Sequence, residues 1–156
     1  MRSFLMVVAA AAIALVVAAP AGAQEDSFTF GDAEVIGPVH IRGDVAKVHA
    51  RYSCTVGDHI WVSVKQSATR EIDPAISAEG SGFGGVASAW WQSHRDSFTC
   101  DGKRHVAWFT VDTVEPGSRG QLQRGHAWVQ FCITTEATEE GLDAVRMEWA
   151  RVVKNK

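Results

Sequence analysis

The segment Lys47–Cys54 alternates strictly between polar and apolar residues. The two sets are Val48, Ala50, Tyr52 and Cys54 on one side and Lys47, His49, Arg51 and Ser53 on the other. Because successive side chains of a strand point to opposite faces of its sheet, this period predicts a β-strand with one buried and one wet face. Tyr52 and Cys54 place a large aromatic ring and a candidate disulfide sulfur at the end of the buried face.

Similar alternation recurs along the chain and is interrupted by turn residues such as Gly43-Asp44 and Pro116-Gly117. The further strand-like segments are 27–31, 34–42, 59–66, 86–94, 103–112, 126–133 and 143–153. Residues 142–149 also fit a helical spacing, but we interpret this segment as part of the last strand. Seven to nine short strands with almost no helical period predict an all-β, antiparallel β-sandwich.

Two local motifs predict finer structure. Asp101-Gly102 stands between two alternating segments, Ser97–Cys100 and Lys103–Asp112, which is the preferred sequence of a two-residue β-hairpin turn. In the middle of the chain, Asp73 followed by Pro74 predicts the capped start of one helical turn.

The first 23 residues predict a secretory signal peptide. Arg2 supplies a positive charge, Leu5–Val17 is an unbroken apolar run, and Ala21–Ala23 follows Pro20 as a small-residue cleavage site. An uncleaved membrane anchor is the alternative, but the apolar run is shorter than the roughly 20 residues that span a bilayer. We therefore expect a secreted, extracellular protein with no stable membrane insertion after signal cleavage, in which residues 24–156 form a single β-sandwich domain.

The charge of the chain argues against two classes of partner. The chain has 15 Lys and Arg residues against 18 Asp and Glu residues, a formal net charge of −3. The charges are interspersed and form no basic block, so nothing supports binding to nucleic acid or to an anionic membrane. Mild acidity mainly favours solubility.

The three cysteines of an exported chain predict one disulfide and one odd thiol. Cys54 and Cys100 occupy inward positions of their alternating segments, whereas Cys132 occupies an outward one. We therefore predict a Cys54–Cys100 bridge that closes a long loop. The alternative pairs Cys54 with Cys132 and requires Cys132 to turn inward against its pattern. With the first pairing, Cys132 is a free thiol or the link of a disulfide-joined dimer.

A family resemblance adds to this reading. The sequence between Val35 and Thr135 resembles a group of small secreted bacterial proteins with immunoglobulin-like β-sandwich domains and no assigned function. The resemblance rests on three short motifs, Tyr52-x-Cys54, Cys100-Asp101-Gly102-x-x-His105 and Ala127-x-Val129. It implies an immunoglobulin-like sandwich whose two-cysteine bridge matches the Cys54–Cys100 pairing, and it brings no catalytic residues. The extra Cys132, the many tryptophans and the longer middle loop depart from that pattern.

The tryptophans are the candidate binding residues. By alternation Trp61, Trp108 and Trp128 face outward, and on one sheet they would form an exposed aromatic row. Such a row suits sugar rings, whose apolar faces stack on indole, and it suits a protein partner equally well. The alternative is that the long loop or a terminal segment covers the row as a second small core, since large open apolar patches are rare on monomers. Trp149 is expected in the core.

No motif predicts a catalytic residue, a cofactor or a metal site. The six histidines stand at no ligand spacing such as His-x-x-x-His. Gly80-x-Gly82-x-x-Gly85 formally matches a dinucleotide fingerprint but lacks the preceding strand and the following helix. His126 and Cys132 lie about 20 Å apart on one strand face, too far to form a thiol–base pair. A hydrolase is the weakest hypothesis, because no carboxylate pair can be placed at a catalytic separation.

These observations favour a secreted, non-enzymatic recognition module. Its expected partner is a protein or a glycan, bound through the exposed tryptophans or through the loop of residues 67–85. The alternative is a structural accessory domain, stapled by its disulfide, with no specific ligand.

Overall fold

The computed structural model describes residues 31–78, 85–135 and 142–155, the side chains of 142 and 143 excepted. These residues form eight strands and one short helix. In chain order the elements are β1 (Asp32–Val35), β2 (Val39–Arg42), β3 (Val45–Ser53), β4 (His59–Gln66), α1 (Pro74–Ala78), β5 (Ala89–Arg95), β6 (Arg104–Asp112), β7 (Gly125–Thr134) and β8 (Leu142–Lys154). The predicted signal peptide, residues 1–23, lies outside the described ranges. Within those ranges, no helix is both long and apolar enough to cross a membrane.

The strands form a single sheet that closes on itself as a barrel. Seven strands close the ring in the order β2–β3–β6–β5–β4–β7–β8, and β8 returns to β2 in a parallel pairing that includes Val39 and Val152. The first strand, β1, is added to the end of β3. The strand β3 pairs with β6 over nine residues, from Val45 to Ser53. The weakest pairing is β5–β6, which joins only Gln92 with Asp112.

The prediction of an immunoglobulin-like antiparallel sandwich is therefore wrong, although the all-β class is confirmed; the described residues form eight strands, and the predicted strand 27–31 lies outside them except for residue 31. A sandwich needs two separate sheets, whereas here β3–β6 and β8–β2 join all strands into one. Both architectures bury one face of every strand, so both give the same two-residue alternation. Pairing between strands distant in sequence decides between them, and alternation carries no signal for it.

The core fills the inside of the barrel. Its centre is aromatic: the Phe109 and Phe131 rings meet edge to face with centroids 4.9 Å apart, and the Tyr52 ring lies 6.0 Å from each. Trp91 is fully buried in the same cluster, and its indole N–H donates to the carbonyl of Gly120. Burial of each such ring stabilises the fold by roughly 1.5–3 kcal/mol.

The alternation from Lys47 to Cys54 is confirmed, except that Ser53 on the outward side is buried where β1 pairs with β3. The apolar set of β3 lines the core, and Cys54 just beyond it is fully buried. The Cys54–Cys100 disulfide is confirmed as well, and Cys132 is a free cysteine. It faces outward from the barrel, as predicted, yet it is only 5% exposed.

The hairpin predicted at Asp101-Gly102 is wrong. Residues 96–103 form no strand, and β6 pairs along its whole length with β3. The turn itself is present, because Gly102 has a φ of 76°. Its N–H donates to the carbonyl of Cys54, and the disulfide holds the neighbouring Cys100 at the same place. The cross-link thus directs this segment to the end of β3 and not onto β6.

The prediction for Trp149 is also wrong. Ala150 and Val152 face the core, so Trp149 lies outside the barrel, where its ring is 5.3 Å from that of Trp128. Apolar residues occur at both odd and even positions of β8, so the alternation does not show which set points inward. By contrast, the predicted start of α1 is confirmed: the Asp73 carboxylate accepts the N–H of Ala75 at 3.0 Å.

Candidate binding faces on the outside of the barrel

The outside of the barrel has two faces of different character. We call the outward residues of β2, β3 and β6 the Trp108 face, and those of β5, β4, β7 and β8 the β4–β7 face. The registers of these strands settle which residues share each face.

Trp108 is the most exposed tryptophan among the described residues, at 47%. It pairs across β3–β6 with His49, and the two rings stack with centroids 4.3 Å apart and planes inclined by only 7°. His40 meets the indole edge-on at 5.7 Å, and its Nδ1 lies 2.9 Å from the Asn155 side-chain oxygen. The indole is therefore held by two imidazoles while almost half of its surface faces solvent.

Polar groups and one more apolar side chain surround Trp108. Lys47 is exposed and pairs with His40 on one side and with Thr110 on the other. Val106, the next outward residue of β6, is 54% exposed. Arg51 is held by Glu34 in an ion pair of 2.7 Å. The face thus combines a flat aromatic surface with hydrogen-bond donors.

The β4–β7 face is built of three rows that run across the four strands. The first row is aromatic and contains Trp90, Lys65, Trp128 and Trp149. The Lys65 ammonium lies 4.3 Å from the centre of the Trp90 ring, a cation–π contact. Both of these side chains are fully buried, whereas Trp128 and Trp149 are half-buried.

The second row of this face carries buried amides. Ser63 donates to Gln130 at 3.0 Å, and the Gln130 amide reaches the Met147 sulfur at 3.6 Å. Gln92 accepts the indole N–H of Trp61 at 3.0 Å. Because these polar side chains are satisfied by one another, they can be buried at little cost.

The third row contains His94, Trp61, Cys132 and Val145. Burial raises the pKa of the Cys132 thiol from 9.0 to about 11. Since the thiolate is the nucleophile and the form that exchanges disulfides, this sulfur is inert at neutral pH in the folded protein. A dimer joined through Cys132 would first require its exposure.

Part of the β4–β7 face is covered by the connection between β6 and β7. Arg119 exchanges two main-chain hydrogen bonds with Trp90, at 2.7 and 2.8 Å, and its guanidinium lies 5.3 Å from the Trp90 ring. In the same connection, Ser118 accepts the N–H of Gln92. The β6–β7 connection thus covers Trp90, which is not one of the three candidate tryptophans.

The structure does not bring the three predicted tryptophans into one row. Trp61 and Trp128 share the β4–β7 face, but Trp61 pairs with Cys132 while Trp128 pairs with Lys65, four residues along the strand. They are therefore about 13 Å apart. Trp108 stands on the other face, and the alternation of β3 also turns His49 outward beside it. The sequence predicts that His49 and Trp108 both face outward, but it does not predict that β3 pairs with β6 and brings the two rings together.

A cationic cleft of about 570 Å³ lies at the end of the barrel that carries the β2–β3 turn. Arg70, Arg124 and Lys154 line it, together with Asp44. Arg70 donates to the Gln123 side chain, and none of the three cations forms an ion pair with a described carboxylate. The cleft concentrates positive charge in a protein of negative net charge.

Comparison with known proteins identifies no family. No protein-family model matches the chain, and no curated protein does. Among solved structures, a β-glucosidase from Kluyveromyces marxianus is similar over 81% of this chain, at 8% identity and a TM-score of 0.32. β-Glucosidase 3B from Thermotoga neapolitana is similar over 80%, at 13% identity and a TM-score of 0.34. The chain spans 16% and 17% of those two proteins, and similarity at this level carries no functional argument.

Proposed function

We propose that this protein is a secreted, non-enzymatic recognition module that binds a glycan at the Trp108 face. The observation that supports this most directly is the stacked pair of His49 and Trp108, whose indole stays 47% exposed. A ring ordered on one side by an imidazole loses little conformational freedom when a ligand packs on its other side. Indole faces of this kind suit the apolar C–H faces of sugar rings.

The surroundings of Trp108 favour a glycan over a protein partner. Apart from the indole, Val106 and Val45 supply the exposed large apolar side chains of this face, and Lys47 and His40 add hydrogen-bonding groups for hydroxyls. A stable protein interface buries about 800 Å² on each side around an apolar centre. One ring with a few donors beside it matches the smaller, more polar contact of a saccharide.

The same face supports binding without hydrolysis. Glycoside hydrolysis needs a pair of carboxylates on the two sides of the scissile bond. On β2, β3 and β6 the only outward carboxylate is Asp112; β1 adds Asp32 and Glu34 beside the end of β3, where Glu34 is held by Arg51 in an ion pair. The outward residues are His40 and Arg42 on β2, Val45, Lys47, His49, Arg51 and Ser53 on β3, and Arg104, Val106, Trp108, Thr110 and Asp112 on β6.

A glycan array probed with labelled wild type and variants tests the proposal. We expect Trp108→Ala to weaken binding to any recognised glycan at least tenfold, because the stacking surface is lost, and Trp108→Phe to retain most of it. Val114→Ala, at an 84% exposed apolar position in the β6–β7 connection, is the matched control and should bind like wild type.

Two outcomes would count against the proposal. Glycan binding that survives Trp108→Ala would move the site elsewhere, for instance to the loop of residues 67–85. A chain that binds no glycan, yet forms specific cross-links to another protein from a photoreactive residue at position 108, would make this face a protein-binding one.

A further inference from the structure

Two histidines of the β4–β7 face lie side by side near the end of β4. His59 and His94 are diagonal neighbours on adjacent strands, because His94 pairs with Trp61 two residues along from His59. Their ring centroids are 5.1 Å apart and their planes are inclined by 35°. The side chains are 33% and 42% exposed, so solvent reaches both rings.

Each of the two imidazoles has its own carboxylate. His59 Nδ1 lies 2.5 Å from Asp96, and His94 Nδ1 lies 2.8 Å from Glu115. A carboxylate accepts, so each Nδ1 carries the hydrogen, and Nε2 is the nitrogen through which the neutral imidazole would bind a metal. This is the arrangement of metal-binding histidines, in which a carboxylate fixes the tautomer and raises the basicity of the coordinating nitrogen.

The carboxylate of Glu115 is itself held in place. Three residues before Glu115, the Asp112 side chain accepts the N–H of Val114 at 2.9 Å and that of Glu115 at 3.1 Å. The carbonyl of Glu115 in turn accepts the N–H of Ser118. A closed turn therefore presents Glu115 to His94, and the orientation of the imidazole does not depend on a free loop.

The spacing of the rings fits one bound ion. Two imidazoles that bind a tetrahedral ion through Nε2, at about 2.0–2.1 Å, place their centroids about 5 Å apart. Beside His59 lies a cavity of about 490 Å³, lined also by Asp58, Asp96, Thr134 and Thr135. The cavity opens on the His59 side of the pair, and His94 is not among the residues that line it.

We propose that His59 and His94 form a two-histidine site for a divalent first-row transition metal, Cu²⁺ or Zn²⁺. Imidazole nitrogens select these ions over Mg²⁺ and Ca²⁺, and Cu²⁺ binds most strongly in this series. Among the described residues no three His, Cys, Asp or Glu side chains group closely enough to hold a metal together. Water or a bound anion completes the coordination, so the site binds reversibly. It is independent of the Trp108 face.

Calorimetric titration of the untagged full-length protein with CuCl₂ tests the proposal. We expect one ion per chain and no binding of Mg²⁺. His59→Asn and His94→Asn should each lower the association constant at least tenfold. Asp96→Asn and Glu115→Gln leave both imidazoles in place and should lower it about tenfold, the usual effect of an orienting carboxylate. His126→Asn, at a histidine near the start of β7 and outside both proposed sites, is the control and should bind like wild type.

Two spectroscopic readouts separate binding at this pair from binding elsewhere. The electron paramagnetic resonance spectrum of the Cu²⁺ complex should show two imidazole nitrogens, and only one in either histidine variant. The Trp61 ring stacks beside His94 at 6.5 Å, so bound Cu²⁺ should quench its fluorescence, and Trp61→Phe should remove that quenching without changing the affinity. The proposal is overturned if no one-to-one complex forms, or if both histidine variants bind Cu²⁺ like wild type.

Discussion

The main-chain N–H of Gly102 donates a hydrogen bond of 2.7 Å to the carbonyl oxygen of Cys54. Two residues earlier, Cys100 is joined to Cys54 by the disulfide, and the Cys100 sulfur accepts the N–H of Gly57 at 3.1 Å. The end of β3 and the segment before β6 are therefore fastened together covalently and by hydrogen bonds. The nearby Asp101 carboxylate accepts from His105, and this contact lowers its pKa.

Removal of the disulfide is expected to destabilise the protein strongly. Cys54 and Cys100 are separated by 46 residues, and on the chain-entropy model a loop of this length contributes about 4 kcal/mol. The double variant Cys54→Ala with Cys100→Ala should lose about that much free energy of unfolding in urea titrations followed by tryptophan fluorescence. Val114→Ala should stay within about 0.5 kcal/mol of wild type. A loss below about 1 kcal/mol would show that the hydrogen bonds alone hold this end of the barrel.

The strand β3 was predictable because it depends on local pattern. Alternation gave the inward facing of Cys54 and the outward facing of Cys132, and the predicted bridge to Cys100 is correct although the segment Ser97–Cys100 forms no strand. Closure of the barrel depends instead on the pairing of β3 with β6 and of β8 with β2. The two strands of each pair are far apart in sequence, and the alternation within a strand does not indicate which other strand it pairs with.

The same dependence on strand pairing explains why the sequence predicts only part of the candidate site. Alternation placed Trp61, Trp108 and Trp128 on the outside of the barrel, but the neighbour of each ring follows from the register. The sequence of β8 does not show which side Trp149 faces, because apolar residues occur at both odd and even positions, and only the pairing with β7 resolves them. The histidine pair of β4 and β5 was hidden for a related reason, since its members are 35 residues apart and share no spacing motif.

Arg70 has a left-handed backbone, with φ at 65°, and lies against Gly125. Its carbonyl accepts the N–H of His126 at 2.7 Å, and it would clash with a Cβ added to Gly125. Gly125 itself has a φ of 147°. The close approach of these two main chains joins the end of β4 to the start of β7 at the cationic cleft.

We therefore expect Arg70→Gly to be more stable than Arg70→Ala by about 1 kcal/mol, because both lose the same side chain and only glycine adopts this backbone without strain. Gly125→Ala should lower the free energy of unfolding by about 1–3 kcal/mol, since backbone must shift to admit the methyl group. Urea titrations of the three variants measure both differences. Equal stability of Arg70→Gly and Arg70→Ala would mean that the left-handed conformation costs nothing at this position.

Cys132 gives the protein a thiol whose ionisation is suppressed by folding. Burial raises its pKa from 9.0 to about 11, so the folded protein keeps the proton to a higher pH than the unfolded chain does. Between these two values the unfolded state binds fewer protons than the native state. The free energy of unfolding therefore falls as the pH rises from about 9 to about 11, by at most about 2–3 kcal/mol from this group.

The ultraviolet absorbance of the thiolate, followed against pH as the difference between wild type and Cys132→Ser, measures this ionisation directly. The difference cancels Tyr52, which both proteins contain. We expect the thiolate to appear near pH 11 in the folded protein and near pH 9 in urea. At neutral pH a thiol-labelling reagent should modify Cys132 only after unfolding, because the side chain is 5% exposed. Rapid labelling of the native protein at neutral pH would show that the β4–β7 face opens around Cys132, and the dimer through this sulfur would then be accessible without unfolding.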